Sequence, residues 1–262
     1  MKAFAVSLAL AAALWTTPAR STAAPGQTAP VAARRASLNL CLAIDRSESM
    51  QGEKIASARE AALAALRRLG PADIVSVVAY DDVVQVLVPA TRASERVPIE
   101  AGLRKLRPHG GAALYAGVIK CAGELSKFSS RNRLDHIVVL SGGTASVGPR
   151  SPFELGVLGG LLREDGISVV MVGLAAGPSE AVTTALATAS GGRQLRAPRP
   201  EELGGVLDQA LAVGQGDRAA RALPQARARP PLRGPREVAP TRPTPVLRTI
   251  EEMRRRIGEG PL

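Results

Sequence analysis

Aromatic residues make up only 2% of the 262 residues, and the one tryptophan, Trp15, lies near the N-terminus. The core must therefore be aliphatic. Residues 214–262 hold no aromatic at all, which leaves nothing there to stack on bases. Histidine occurs twice, as His109 and His136, and no His-Glu-x-x-His helix or Gly-x-Ser-x-Gly elbow appears. No stretch after the first fifteen residues is long and apolar enough for a transmembrane helix. Acids are missing from residues 1–37, which carry four Lys/Arg, and are scarce in residues 214–262, which hold 11 Arg against 5 acids. Residues 38–213 hold 19 basic and 18 acidic side chains. The net charge of +11 thus belongs to the flanks. A specific nucleic-acid binder would carry a basic face on the fold itself, and this chain does not announce one.

The ends read as extensions. Lys2, the apolar run Ala3 to Trp15 and the small-residue site Ser21-Thr22-Ala23 predict a signal peptide over residues 1–23. Export to the periplasm or the medium follows. An Ala/Pro/Thr-rich linker spans 24–37. Residues 214–262 are rich in Pro, Arg and Ala and predict a disordered tail. One piece of it, 245–257, places Leu247, Ile250, Met253 and Ile257 on one helical face. It is either a solvated charged segment or a short helix that orders on a partner or on the domain. The basic tail would be drawn to anionic envelope surfaces by charge alone.

Between the flanks, apolar runs alternate with helical periodicity. Strands are expected at 38–45, 73–80, 83–88, 136–140, 167–174 and 192–197. Helices are expected at 53–69, 94–106, 113–127, 152–164, 178–189 and 200–213. Asp81-Asp82 makes so short a turn that the second and third strands must pair antiparallel. The pattern predicts an α/β fold: a doubly wound, mostly parallel six-stranded sheet with one antiparallel edge strand and helices on both faces. Cys41 falls on an inner strand and Cys121 on a helix. The favoured reading is two packed thiols, since a bridge needs a close Cα approach that spacing does not reveal.

The first strand ends in Asp45-Arg46-Ser47-Glu48-Ser49. A carboxylate and two hydroxyls at the carboxyl edge of a sheet are hard oxygens where open α/β sheets bind ligands. The same residues could merely end a strand and cap a helix. With Gly110-Gly111-Ala112-Ala113-Leu114-Tyr115-Ala116-Gly117 and Val139-Leu140-Ser141-Gly142-Gly143 in order, residues 38–213 resemble the von Willebrand factor A domain. The resemblance implies a metal-ion-dependent adhesion site built by three loops, with Asp45, Ser47 and Ser49 as first-loop ligands of Mg²⁺ or Mn²⁺. It also implies a Thr in the second loop and an Asp in the third. Here those positions hold Ala112 and Gly142, so the site is incomplete. Glu48 or Thr144 could replace part of what is missing.

The function expected is an exported, non-catalytic protein-binding module, for adhesion or as a scaffold, with contacts through Arg46, Glu48, His109, Tyr115 and Thr144. Weak Mg²⁺ binding through the first loop is the alternative. A serine-type hydrolase is the remaining one, drawn from Ser47 beside His109.

Overall fold

The computed structural model describes residues 37–130, 133–143, 145–174 and 180–221, the last nine of these by backbone alone. The predicted signal peptide, the linker as far as residue 36, Thr144 and the chain beyond 221, with its segment 245–257, lie outside the described residues.

In chain order the elements are β1 (Ser37–Asp45), α1 (Glu53–Leu66), β2 (Ile74–Tyr80), β3 (Val84–Arg92), α2 (Arg96–Leu103), α3 (Leu114–Ser126), β4 (Arg133–Ser141), α4 (Pro152–Glu164), β5 (Ile167–Gly173), α5 (Glu180–Ala189), β6 (Gln194–Arg196) and α6 (Leu203–Arg221). The sheet order is β3-β2-β1-β4-β5-β6. All neighbours are parallel except β2 and β3. This is the doubly wound α/β sheet expected, with the antiparallel strand at an edge.

β1 shows why the sheet is central. Eight of its nine residues are buried, as a parallel strand covered on both faces requires. Leu38, Leu40, Leu42 and Ile44 join the core under α1, α2 and α6. Cys41 and Ala43 point the other way, into the core under α3, α4 and α5. β3 has mixed exposure, tolerates Pro89 and pairs through irregular register, as an edge strand does. The chain leaves β1 for β2 on one side and later adds β4 on the other, so the winding reverses between β1 and β4. Asp45 ends β1 and Ser141-Gly142 ends β4, which places both at the crevice where such sheets take ligands.

The two cysteines correct the sequence reading. Cys41 and Cys121 are not separate packed thiols. They form a disulfide, with Cα atoms 5.6 Å apart, inside the range a bridge requires. Both side chains are fully buried. Packed as hydrophobes on facing elements, they were close enough to bond. Other differences are at element ends. β4 starts at Arg133, three residues early, because Leu134 and Asp135 pair with Leu38 and Asn39 of β1. Asp135 is carried there by Asn39 Nδ2 at 2.6 Å and Ser129 Oγ at 2.5 Å. β3 continues through Pro89 to Arg92, and α6 runs to Arg221, past the boundary expected at 213.

Candidate functional site

Three loops meet above the carboxyl ends of β1, β2 and β4. The first, Asp45 to Gln51, makes a single 3-10 turn over Glu48–Met50, anchored by the fully buried Met50. Asp45 is 0% exposed. Its Oδ1 accepts the Ser47 N–H at 2.8 Å and its Oδ2 accepts the Gly142 N–H at 2.9 Å. One carboxylate therefore joins the first loop to the third. Burial pushes the Asp45 carboxyl above its ordinary value, against the hydrogen bonds from Ser47, Gly142 and Ser141 that pull it down. Burial also holds the Tyr80 hydroxyl well above its usual range, and the charge of Asp45 adds to the effect. Ser47 Oγ and Ser49 Oγ lie 2.9 Å apart and share a hydrogen bond. Lys54 Nζ donates to the Ser49 carbonyl at 3.2 Å.

The second loop is sewn to the first by backbone bonds. The His109 N–H donates to the Arg46 carbonyl at 2.7 Å, and the Glu48 N–H to the Gly110 carbonyl at 3.0 Å. Asp82 Oδ1 accepts the Gly111 N–H at 2.8 Å. Gly110 has φ 61°, a left-handed backbone that favours glycine, and a Cβ there would come within 2.1 Å of Asp82 Oδ2 and displace that carboxylate. The Ala112 N–H donates to Ser146 Oγ at 2.7 Å, and Ser146 and Val147 return N–H groups to the Ala112 carbonyl. Loops two and three are thereby closed on each other.

The first loop gathers Asp45, Ser47 and Ser49 through their own hydrogen bonds. Ala112 is buried at 2% exposure with only a methyl to offer. Arg46 is turned away from a free role: its Nε lies 2.9 Å from Asp81 Oδ2, a charge pairing whose N–H is off the line of a hydrogen bond, and its terminal nitrogen reaches Gln85 at 3.2 Å. Glu48 is exposed. His109 is 79% exposed and 3.7 Å from Asp81. Tyr115 is partly buried, and burial, with the Glu154 charge second, raises its hydroxyl. A serine hydrolase would need Ser47 bonded to a histidine, but Ser47 Oγ bonds Ser49 and is nearly buried, while His109 faces Asp81. The reading of the sequence missed Asp81, Asp82, Gln85, Ser141 and Ser146. Asp81-Asp82 was legible only as a turn. Asp81 does make that turn, accepting the Val83 N–H at 2.7 Å, but its reach to Arg46 is a tertiary fact.

Residues 40–144 match the model of the von Willebrand factor type A domain. That part of the chain is therefore similar to a domain of this family. An uncharacterized protein of Synechocystis sp. is 32% identical over 110 residues, 42% of this chain and 26% of that protein. The match thus spans about a quarter of the curated relative's length. A von Willebrand factor type A protein from Catenulispora acidiphila superposes with a TM-score of 0.59 at 20% identity, covering 69% of this chain and 43% of that one. Proximal thread matrix protein 1 from the mussel byssus, solved with a zinc-occupied adhesion motif, gives 0.57 at 13% identity, over 68% of this chain and 48% of that chain. At these identities the solved structures share the fold.

Among the described residues, the first loop offers oxygens suited to one side of a divalent ion. The 2.9 Å between Ser47 Oγ and Ser49 Oγ is roughly what adjacent oxygens take around an octahedral ion with bonds of about 2.0–2.1 Å. Nothing on the second or third loop adds a side-chain oxygen at Ala112 or Gly142. The third loop has also closed in. A Cβ on Gly142 would lie 2.7 Å from Ser49 Oγ and 2.9 Å from Met50 Sδ. Gly142→Asp is therefore expected to lower metal-free stability by about 1–3 kcal/mol through overpacking. Combined with Ala112→Thr it should raise Mn²⁺ affinity, since it supplies the missing oxygens. Urea unfolding and calorimetric titration check the two halves, and an unchanged affinity in the double variant would sink the second.

Proposed function

We propose that this chain is an exported, non-catalytic protein-binding module whose upper loops recognise a partner with little or no help from metal. The observation that carries the reading is the closure of the three loops on one another by Asp45, Asp82, Ser146 and the backbone of Arg46, Glu48, His109 and Gly110. Loops fixed in advance lose little freedom when a partner binds. Glu48, His109 and Tyr115 serve at their rim as contact residues, together with Thr144, which lies outside the described residues. Arg46 serves by bracing the rim through Asp81. The buried disulfide supports export, because such bonds persist in oxidising compartments. An adhesion or scaffold role would then be exercised in the periplasm or outside the cell, with the Arg-rich tail drawn to anionic envelope surfaces.

Should metal take part, Asp45, Ser47 and Ser49 would hold it, and Mg²⁺ or Mn²⁺ would supply a positive point for a partner's carboxylate. The deciding experiment is calorimetric titration of Mg²⁺ and Mn²⁺ into the EDTA-treated protein, with Asp45→Ala as control. The expected result is no saturable heat up to millimolar metal. Saturable heat that the substitution abolishes would replace this reading with a weak metal-dependent adhesion module.

A further inference from the structure

The outer face of α4 is apolar and, among the described residues, uncovered. Phe153 is 79% exposed and Val157 38% exposed, one turn apart, and the partly buried Leu161 continues the row. The helix also carries three interior glycines, each costing about 1 kcal/mol relative to alanine. Gly159 has a reason: a Cβ there would come within 2.6 Å of the Leu186 carbonyl oxygen and 2.8 Å of Ala189 on α5. Gly156 and Gly160 have none inside the domain, since a Cβ on either would meet nothing within 4 Å. They lie along one side of the Phe153 row and lower the surface there, as a helix face does where a second helix approaches closely.

We propose that residues 245–257 of this same chain form that second helix and dock on α4. The segment has a single narrow apolar row, Leu247, Ile250, Met253 and Ile257, and a helix so short is marginal in water until that row is buried. Its steps of three from Leu247 to Met253, against the steps of four on α4, suit the ridge-in-groove packing of nearly aligned helices. Charge agrees. Exposed Glu154 and Glu164 mark the two ends of the α4 face, and the segment brings Arg248 and Arg254 to Arg256 against Glu251 and Glu252, an excess of positive charge. A second copy of α4 would bring the same two carboxylates and a single arginine, Arg163. The chain is long enough. α6 packs on the other face of the sheet from α4, and residues 222–244, about 75 Å when extended, are long enough to round the sheet edge.

The test is amide hydrogen exchange on the full chain, followed by mass spectrometry, with sedimentation to fix the mass. In the unsubstituted protein, amides of 246–257 are expected to exchange at least tenfold more slowly than an unstructured peptide of the same sequence. Phe153→Asp with Val157→Asp should return them to within about twofold of that peptide while leaving exchange in β1 and β4 unchanged, because both side chains are solvent-facing. Ile250→Asp should do the same from the other side. Free exchange of 246–257 in the unsubstituted protein overturns the proposal. So does protection that survives the α4 substitutions, or protection that appears only with a dimer mass.

Discussion

Replacing Cys41 and Cys121 together by alanine is expected to lower the free energy of unfolding by about 4 kcal/mol and the melting temperature by roughly 10–15 °C. The bridge closes a span of 80 residues. Cross-linking so long a loop removes a large share of the unfolded chain's freedom, which is the main source of the effect. The packing loss adds to it, since both cysteines are fully buried and lined by Val118, Leu125 and Ile137 in the same cluster. The bond is also well placed for the site. Cys41 lies four residues before Asp45 on β1, and Cys121 lies on α3, the helix that the second loop enters. The pair therefore fixes the distance between the strand that carries the first loop and the helix that carries the second. With both sulfurs shielded, reductant should attack only through unfolding, so the rate of reduction should rise with urea in step with the global unfolding rate. Differential scanning calorimetry of the double variant is the direct measurement. A shift of only a degree or two would mean that the bridge adds nothing.

The missing bridge and the legible sheet have one physical source. The strands could be read because buried parallel strands write themselves as apolar runs, and β1, β2 and β5 needed little more than that. The bounds of α4 are legible because Pro152 marks its start, and the structure adds a reciprocal cap between Ser151 and Glu154. Where a charged residue is buried by pairing, the signal vanished, as at Asp135 in β4. Local spacing likewise revealed Asp45, Ser47 and Ser49, which share one loop. It could not reveal that Gly142 donates its N–H to Asp45, 97 residues away, or that Asp82 holds Gly111 across 29. Nor could it show that Cys41 and Cys121 face each other. Each of these is a contact between elements, and sequence periodicity reports only which face an element buries, not what it meets there.

Asp45→Ala should be the most damaging single change at the candidate site, at about 2–4 kcal/mol. Its two carboxylate oxygens accept buried N–H groups from Ser47 and Gly142. Removing them leaves two donors without acceptors, each worth about 1–3 kcal/mol, while relief from burying a charge returns part of the loss. Asp45→Asn separates the contributions. The amide keeps the shape but offers one acceptor, so its NH₂ must confront either the Ser47 or the Gly142 N–H, and it too is expected to destabilise, by about one such bond. The pH dependence carries the sign of the buried charge. The folded-state carboxyl is raised above its ordinary value by burial, so the folded protein holds its proton to higher pH than the unfolded chain does. Stability contributed by Asp45 is then complete below the unfolded value of about 3.9 and falls as pH rises through the folded value. The deficit of Asp45→Ala against the unsubstituted protein, measured by urea unfolding in EDTA, should therefore be largest in acid and narrow toward neutrality. A carboxylate held in place chiefly by its hydrogen bonds would show the opposite trend, with the deficit growing as pH rises. In that case the first loop would be organised around an anion the protein is built to stabilise. The closed, self-satisfied geometry of Ser47, Ser49 and Gly142 would then be the resting form of a site that still gains from a cation.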